Sequence, residues 1–217
     1  MPQEMTLQLL NACWETIYMV VLATVVATAV GLPLGVILTV TGRGNLLENS
    51  LTNSTLGAIV NIARSTPFII LMVAIIPFTR LITGTSIGTL AAVVPLSIAA
   101  IPFIARLTET ALKEVDGGVV EAAQAMGATP WQIIVKVLLP ESLPTLVQGL
   151  TLTIINLIGY SAMAGAVGGG GLGDLAIRYG YQRFQIGTML VTVVIMIVLV
   201  QVVQTSGDYL ARRLNKK

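Results

Sequence analysis

Few residues in this chain could do chemistry, and their types narrow what chemistry is open. Histidine is absent and Cys13 is the single cysteine. Imidazole acid/base catalysis, His/Cys metal sites and an intrachain disulfide are excluded by that count, so no catalytic, metal-ligating or cofactor-binding residue is assigned. The run GGGGLGDL, Gly168 to Leu175, has the glycine density of a phosphate cradle. A phosphate loop needs Gly-x-x-x-x-Gly-Lys-Ser/Thr after a strand, and no lysine stands in that setting, so the run reads as a flexible outer turn or a contact surface. Two groups remain. Asn156, Tyr160 and Met163, spaced four and three apart, share one face of a helix inside an apolar run. Residues 121–140, EAAQAMGATPWQIIVKVLLP, form a polar, capped pattern in a chain that is otherwise apolar.

The elements that hold these groups are membrane spans. Of the 217 residues 55% are hydrophobic and 10% charged, against roughly 25% charged in soluble domains, and the mean hydropathy is +0.88. A helix crosses ~30 Å of hydrocarbon with about 20 residues. Uncharged or nearly uncharged stretches of that length predict an all-α polytopic membrane protein, one transmembrane domain over residues 1–217. Its five spans fall near 17–40, 56–79, 84–105, 144–167 and 184–207, with a loop at 113–141 carrying a pair of short helices. No Lys or Arg precedes the first apolar run, which is longer than a signal-peptide core, so the first span is expected to stay in the mature protein.

Basic residues bias the loops that hold them toward the cytoplasm. Arg43, Arg106, Lys113, Lys136, Arg212, Arg213, Lys216 and Lys217 fall on one set of alternating loops, and only Arg80, Arg178 and Arg183 on the other. The 113–141 loop and the C-terminus are therefore expected inside and the N-terminus outside. The net charge of +2 is too small for a nucleic-acid footprint. Arg64 has two readings: an intramembrane cation if the second span starts at Leu56, or a headgroup anchor if 51–63 lies along the inner surface and Pro67 marks the turn inward.

In the loop, Asp116 can cap a helix through Glu121, Ala122, Ala123 and Met126, which Gly127 can end in the left-handed conformation. Thr129 with Pro130 and Gln132 starts a second helix through a capping box, and Pro140 and Pro144 are expected to limit it before the fourth span. Ala122, Ala123, Ala125 and Met126 on one helix and Trp131, Ile133 and Ile134 on the other are expected to be exposed, as a partner site or as a loop packed on its own spans. The Asn156/Tyr160/Met163 face is open in the same way. It lines a pathway, or it packs against other helices through Gly149, Gly159, Ala162 and Gly165.

The spacing Glu121-Ala122-Ala123, Gly127, Val137 and Leu139-Pro140 resembles the EAA loop of the permease subunits of bacterial ABC importers, departing from it only by Val137 where isoleucine is usual. WETIYMV at 14–20, GLPLGVIL at 31–38, RSTPFIILM at 64–72 and GGGGLGDLAIRYGYQRF at 168–184 extend the likeness over nearly the whole chain, to the permeases of the methionine uptake family. That resemblance implies a homodimer in the bacterial inner membrane, two separate ATPase subunits, and an extracytoplasmic methionine-binding lipoprotein, which the glycine run could contact. Glu121, Ala122, Ala123, Met126, Gly127, Trp131, Leu139 and Pro140 would receive the ATPase, and Asn156, Tyr160 and Met163 would line the pathway. The competing readings are a permease for another amino acid and, from a different class, a stand-alone channel or secondary carrier. The latter would need intramembrane Asp, Glu or His for ion coupling, and apart from Arg64 the spans carry no charge. An intramembrane enzyme lacks any constellation to perform the reaction.

Reporter fusions within Gly44–Asn49 and after Lys217 should read cytoplasm, and fusions near Thr83 and Tyr181 the outside. A cytoplasmic signal at Tyr181 would break the five-span arrangement.

Overall fold

The computed structural model describes residues 3–215, so Lys216 and Lys217, counted above with the inner loops, lie outside the described residues. Among the described residues the chain is helical with no strand. Helix α1 runs Gln3–Val40, far upstream of residue 17, because nothing between Met5 and Ile17 interrupts helix formation and Glu4 favours the N-terminal end. By length and composition four helical stretches can cross a membrane: Glu4–Val40, Thr89–Lys113, Pro130–Ala166 and Ile186–Leu214. A fifth arises if a bent pair counts as one span.

That pair stands where a single helix over 56–79 was expected. Helix α2 (Ser50–Ser65) and helix α3 (Phe68–Ala74) meet at 102°, and α4 (Ile76–Thr83) follows. The break has a local cause: Pro67 lacks an N–H and pushes Thr66 into extended backbone, φ −81° and ψ 122°. Asn49 caps α2 by accepting from the Thr52 N–H at 3.0 Å. Arg64 lies in the last turn of α2, beside the bend.

Helix α5 (Thr89–Lys113) keeps Pro95 and Pro102 inside it. After the short α6 (Gly117–Ala125), α7 (Pro130–Ile133) passes through a π-helical turn (Ile134–Leu138) directly into α8 (Leu139–Ala166). Pro140 and Pro144 therefore do not separate the second loop helix from the fourth span. The wider turn relieves the clash between a proline ring and the carbonyl four residues back, and Pro140 falls within the first turn after it. Helix α9 (Gly171–Leu175), a second π turn (Ala176–Tyr181) and α10 (Ile186–Leu214) complete the chain.

Two close approaches set the bundle. Helix α1 lies against α5 where Gly31 and Gly35 stand one turn apart: a β-carbon on Gly35 would sit 2.5 Å from the Ala105 carbonyl oxygen. Apolar spans gain little by hiding from an equally apolar lipid, so backbone-close packing of small residues has to supply the association. The core above this contact joins Met19, Ala23 and Ala27 of α1 to Leu96, Ala100 and Ile104 of α5 and to Leu157 and Ile158 of α8. Helix α10 meets α8 where Gly207 admits Thr151.

The glycine run is not a flexible turn. Gly169, Gly171 and Gly173 are buried, and α1 reaches across to fasten them. The Glu15 carboxylate accepts from the Gly171 N–H at 2.7 Å and the Thr16 hydroxyl from the Leu172 N–H at 2.9 Å. Donors at the start of α9 are thus satisfied by side chains more than 150 residues away in sequence. At the opposite end of the bundle Glu109 is buried between Arg106 and Lys113, whose Nζ lies 2.6 Å away. Arg106 also donates to Asn61 Oδ1 at 2.9 Å, tying α2 to the end of α5.

Gly35→Val should lower the thermal stability of the purified protein by at least about 1–3 kcal/mol, because the colliding atom is backbone and cannot swing away. Gly57→Ala, which meets nothing within 4 Å, should be neutral or stabilise α2 by up to about 1 kcal/mol. Equal melting curves for the two variants would remove the α1–α5 approach as the organising contact.

Candidate functional site

The loop helices are built as their residues suggest. Asp116 accepts from the Gly118 N–H at 2.7 Å. Helix α6 ends with the Ala128 N–H on the Ala123 carbonyl at 3.1 Å and the Gly127 N–H on Gln124 at 2.9 Å. Gly127 takes φ +80° to close this double bond pattern. Thr129 and Gln132 form a reciprocal capping box, with the Gln132 side chain accepting from the Thr129 N–H at 2.9 Å. Short helices of this kind are marginal alone, so what holds them to the bundle matters more than propensity.

That hold is a buried cluster of Val40 from α1, Leu112 from α5, Ala123 from α6, and Ile133, Ile134 and Leu138 around the π turn. Three residues expected on the exposed face are in it: Ala123 is 5% exposed and Ile133 and Ile134 are buried. Leu139 packs half-buried against the same cluster. The reason is geometric. A helix one turn from the ends of two spans must give one face to them, and the small Ala123 is what fits beneath α6. What remains outward is Glu121, Ala122, Ala125, Gly127 and Pro140, with Met126 at 82% and Trp131 at 71% exposure. Beside them a recess of about 390 Å³ opens between the end of α1 and α6, lined by Thr39, Asn45, Lys113, Val120, Glu121 and Gln124 among others.

On α8, Asn156 and Tyr160 come together in an open cavity of about 150 Å³ lined also by Ala63, Arg64, Thr66, Phe68, Leu71, Ala99, Ala100, Phe103, Thr153 and Leu157. Tyr160 stacks on Phe68 with ring centroids 4.6 Å apart and planes 3° from parallel. Met163 does not line this cavity; it is exposed further along α8. One turn beyond the stacked pair a second, mostly apolar cavity of about 270 Å³ is lined by Met72, Thr79, Ala92, Pro95, Ala164 and Gly169 among others. The two cavities follow one face of α3 and α8, with Phe68 and Tyr160 on the first and Met72 and Ala164 on the second.

Reading the sequence missed Phe68, Thr66, Phe103 and Thr153 as partners of Asn156 and Tyr160. No spacing rule joins residues 68 and 160. The proline at 67 was a signal for the turn, and the turn is what brings Phe68 onto α8. Glu109 was missed too, although the cations at i−3 and i+4 are readable; its burial is not.

The family described as binding-protein-dependent transport system inner membrane component matches residues 31–216. Among curated relatives, the probable D-methionine transport system permease protein MetI of Vibrio cholerae serotype O1 is 62% identical over 209 residues, 96% of this chain and 93% of that protein. The D-methionine transport system permease protein MetI of Escherichia coli K12 is 53% identical over 165 residues, 76% of each. Among solved structures, a chain of the inward-facing MetNI methionine ABC transporter matches with TM-score 0.98 at 49% identity, covering 100% of both chains. A chain of an amino acid ABC transporter with histidines matches with TM-score 0.78 at 19% identity, covering 96% of this chain and 94% of that one, a likeness of fold alone.

The two faces of α6 separate by mutation. Ala123→Asp places a carboxylate in the buried cluster and should destabilise the purified protein by several kcal/mol. Ala122→Asp, one residue away and exposed, should stay within about 0.5 kcal/mol of the parent. Thermal unfolding in detergent checks both, and similar losses from the two would contradict the assigned faces.

Proposed function

Because the chain belongs to the binding-protein-dependent transport system inner membrane components, we propose that it is the membrane-spanning subunit of an ATP-driven ABC importer that carries methionine across the bacterial inner membrane by alternating access. It works as one transmembrane domain of a homodimer, with its N-terminus outside and its C-terminus in the cytoplasm. Two separate ATPase subunits bind and hydrolyse ATP, an extracytoplasmic lipoprotein delivers the substrate, and this chain carries no catalytic group or cofactor of its own. The curated relatives are D-methionine permeases, and a chain of a methionine ABC transporter superposes over the full length.

The observation that carries the mechanism is the two-faced loop. Coupling across an interface needs a rigid element whose position differs between states. The buried cluster of Ala123, Ile133, Ile134 and Leu138 with Val40 and Leu112 makes the helix pair an extension of α1, α5 and α8. A push on the outward face of Glu121, Ala122, Met126 and Trp131 is therefore delivered to the spans rather than absorbed by the loop. Small side chains at Ala122 and Ala125 let the ATPase approach the backbone, Met126 and Trp131 supply apolar anchors, and Glu121 offers a carboxylate at the rim. The face of α8 with Asn156 and Tyr160 lines the route between protomers. It presents amide and hydroxyl groups without an acid, which suits a net-neutral substrate.

Inside-out vesicles holding the ATPase and this chain, and proteoliposomes holding the whole assembly, test both parts. Ala122→Asp should weaken copurification of the ATPase or uncouple its hydrolysis from substrate, and Glu121→Ala should do so less, since an ion pair at a wet interface is worth only ~0–1 kcal/mol. Asn156→Leu and Tyr160→Leu should reduce methionine uptake while assembly and basal ATP hydrolysis stay near normal. A tagged chain extracted in mild detergent that brings down no ATPase would sink the importer reading. Uptake competed by other amino acids but not by methionine would move the substrate to the alternative permease.

A further inference from the structure

We propose that Arg64 reads the carboxylate of the transported amino acid at the membrane cavity, an inference that rests on the importer reading above. The helix breaks at Thr66–Pro67, as the anchoring reading expected, and Arg64 also borders a cavity. The 102° bend between α2 and α3 turns it onto the rim of the cavity that holds Asn156, Tyr160, Thr66, Phe68 and Phe103.

Three observations converge on a carboxylate. First, Arg64 is unpaired: among the described residues it makes no ion pair or hydrogen bond, and its single recorded contact is its Cζ at 5.8 Å from the Phe103 ring centroid. The neighbouring Arg106 is by contrast paired with Glu109 and Asn61. Second, no Asp or Glu lines the cavity, so the cation there is uncompensated by the chain itself. A guanidinium offers five N–H donors in a planar fork that matches a carboxylate with two parallel bonds. Third, the other walls fit the rest of a small amino acid. The Asn156 amide and Tyr160 hydroxyl can accept from an ammonium, and Leu71, Phe103 and Leu157 offer apolar contact to an uncharged side chain. A cavity of about 150 Å³ has room for about five waters at their liquid volume, enough for the head group of an amino acid.

The test uses the complete assembly of permease, ATPase and binding lipoprotein in proteoliposomes, with radiolabelled methionine as probe and uptake normalised to copurified ATPase. Arg64→Gln should assemble normally and lose uptake at least about tenfold, the scale of a lost charge-assisted bond, while Arg64→Lys should retain an intermediate rate. In a Cys13→Ser background, Arg64→Cys should be equally impaired. Modification of its thiol with a methanethiosulfonate ethylammonium should restore much of the uptake, whereas the neutral methyl and anionic sulfonatoethyl reagents should not. Methionine supplied on the cytoplasmic side should slow that modification. Arg64→Gln transporting at the parental rate, or rescue indifferent to the sign of the reagent, would reduce Arg64 to an anchor and overturn the proposal. The two readings fail separately: a parental assembly that takes up no methionine defeats the substrate assignment, whereas normal parental uptake with unimpaired Arg64 variants defeats only the role of Arg64.

Discussion

Hydrocarbon offers no water to an unpaired N–H or C=O, and the breaks in regular helix at Thr66 and at the glycine turn are arranged around that constraint. Helix α1 can run from Gln3 to Val40 because its amides beyond the first turn, Pro33 excepted, bond within the helix. Where the chain has to break, side chains take over. Thr66 at the α2–α3 bend has its N–H on the Ala63 carbonyl at 3.4 Å and its hydroxyl on the Ile62 carbonyl at 3.3 Å. At the glycine turn the start of α9 is held by Glu15 and Thr16, and the Gly88 N–H reaches the Gly168 carbonyl at 2.8 Å. Several buried serines and threonines of the spans follow the same logic, returning their hydroxyls to carbonyls of their own helix, as Thr16, Ser97 and Thr192 do and as Thr153 does to Gly149 at 2.9 Å.

The same constraint explains why the two functional regions are rigid. A loop between spans is free to be mobile in water, yet here it is continuous with a span: α7 flows through the π turn into α8 with no intervening coil. Its inner face is part of the bundle's packing through Ala123, Ile133 and Leu138. The loop helices are thereby packed onto and continuous with α8, and α8 is also the helix that presents Asn156 and Tyr160. Loop and cavity are joined by one continuous helix.

The bend at Pro67 has a second consequence. By turning α3 away from α2 it brings Phe68 flat against Tyr160 and leaves Arg64, Thr66 and Asn156 around one opening. A straight span starting at Leu56 would hold Arg64 within its apolar length, where a lone cation is costly. Breaking the helix converts an awkward charge into one that faces a polar recess, with α2 moored to α5 through Arg106 and Asn61.

Much of this was legible from the sequence. Long uncharged runs announce helices in a membrane because lipid length and backbone pairing leave no alternative. The caps at Asp116, Gly127 and Thr129 are local rules, complete within a few residues, and they formed as spelled. What could not be read is which side of a short helix faces inward. Ala123 and Ala122 are chemically the same residue, and only the ends of α1 and α5 beneath α6 decide that the first is buried and the second is not. Nor does a run of glycines say whether it is loose. Its rigidity comes from Glu15 and Thr16, more than 150 residues away in sequence, which local pattern cannot connect. Arg64 shows the division most plainly. Composition allowed it two environments, and only the bend at Pro67 places it beside the cavity of Phe68 and Tyr160, because the neighbours of a side chain near a helix break are set by the angle at which the next helix leaves.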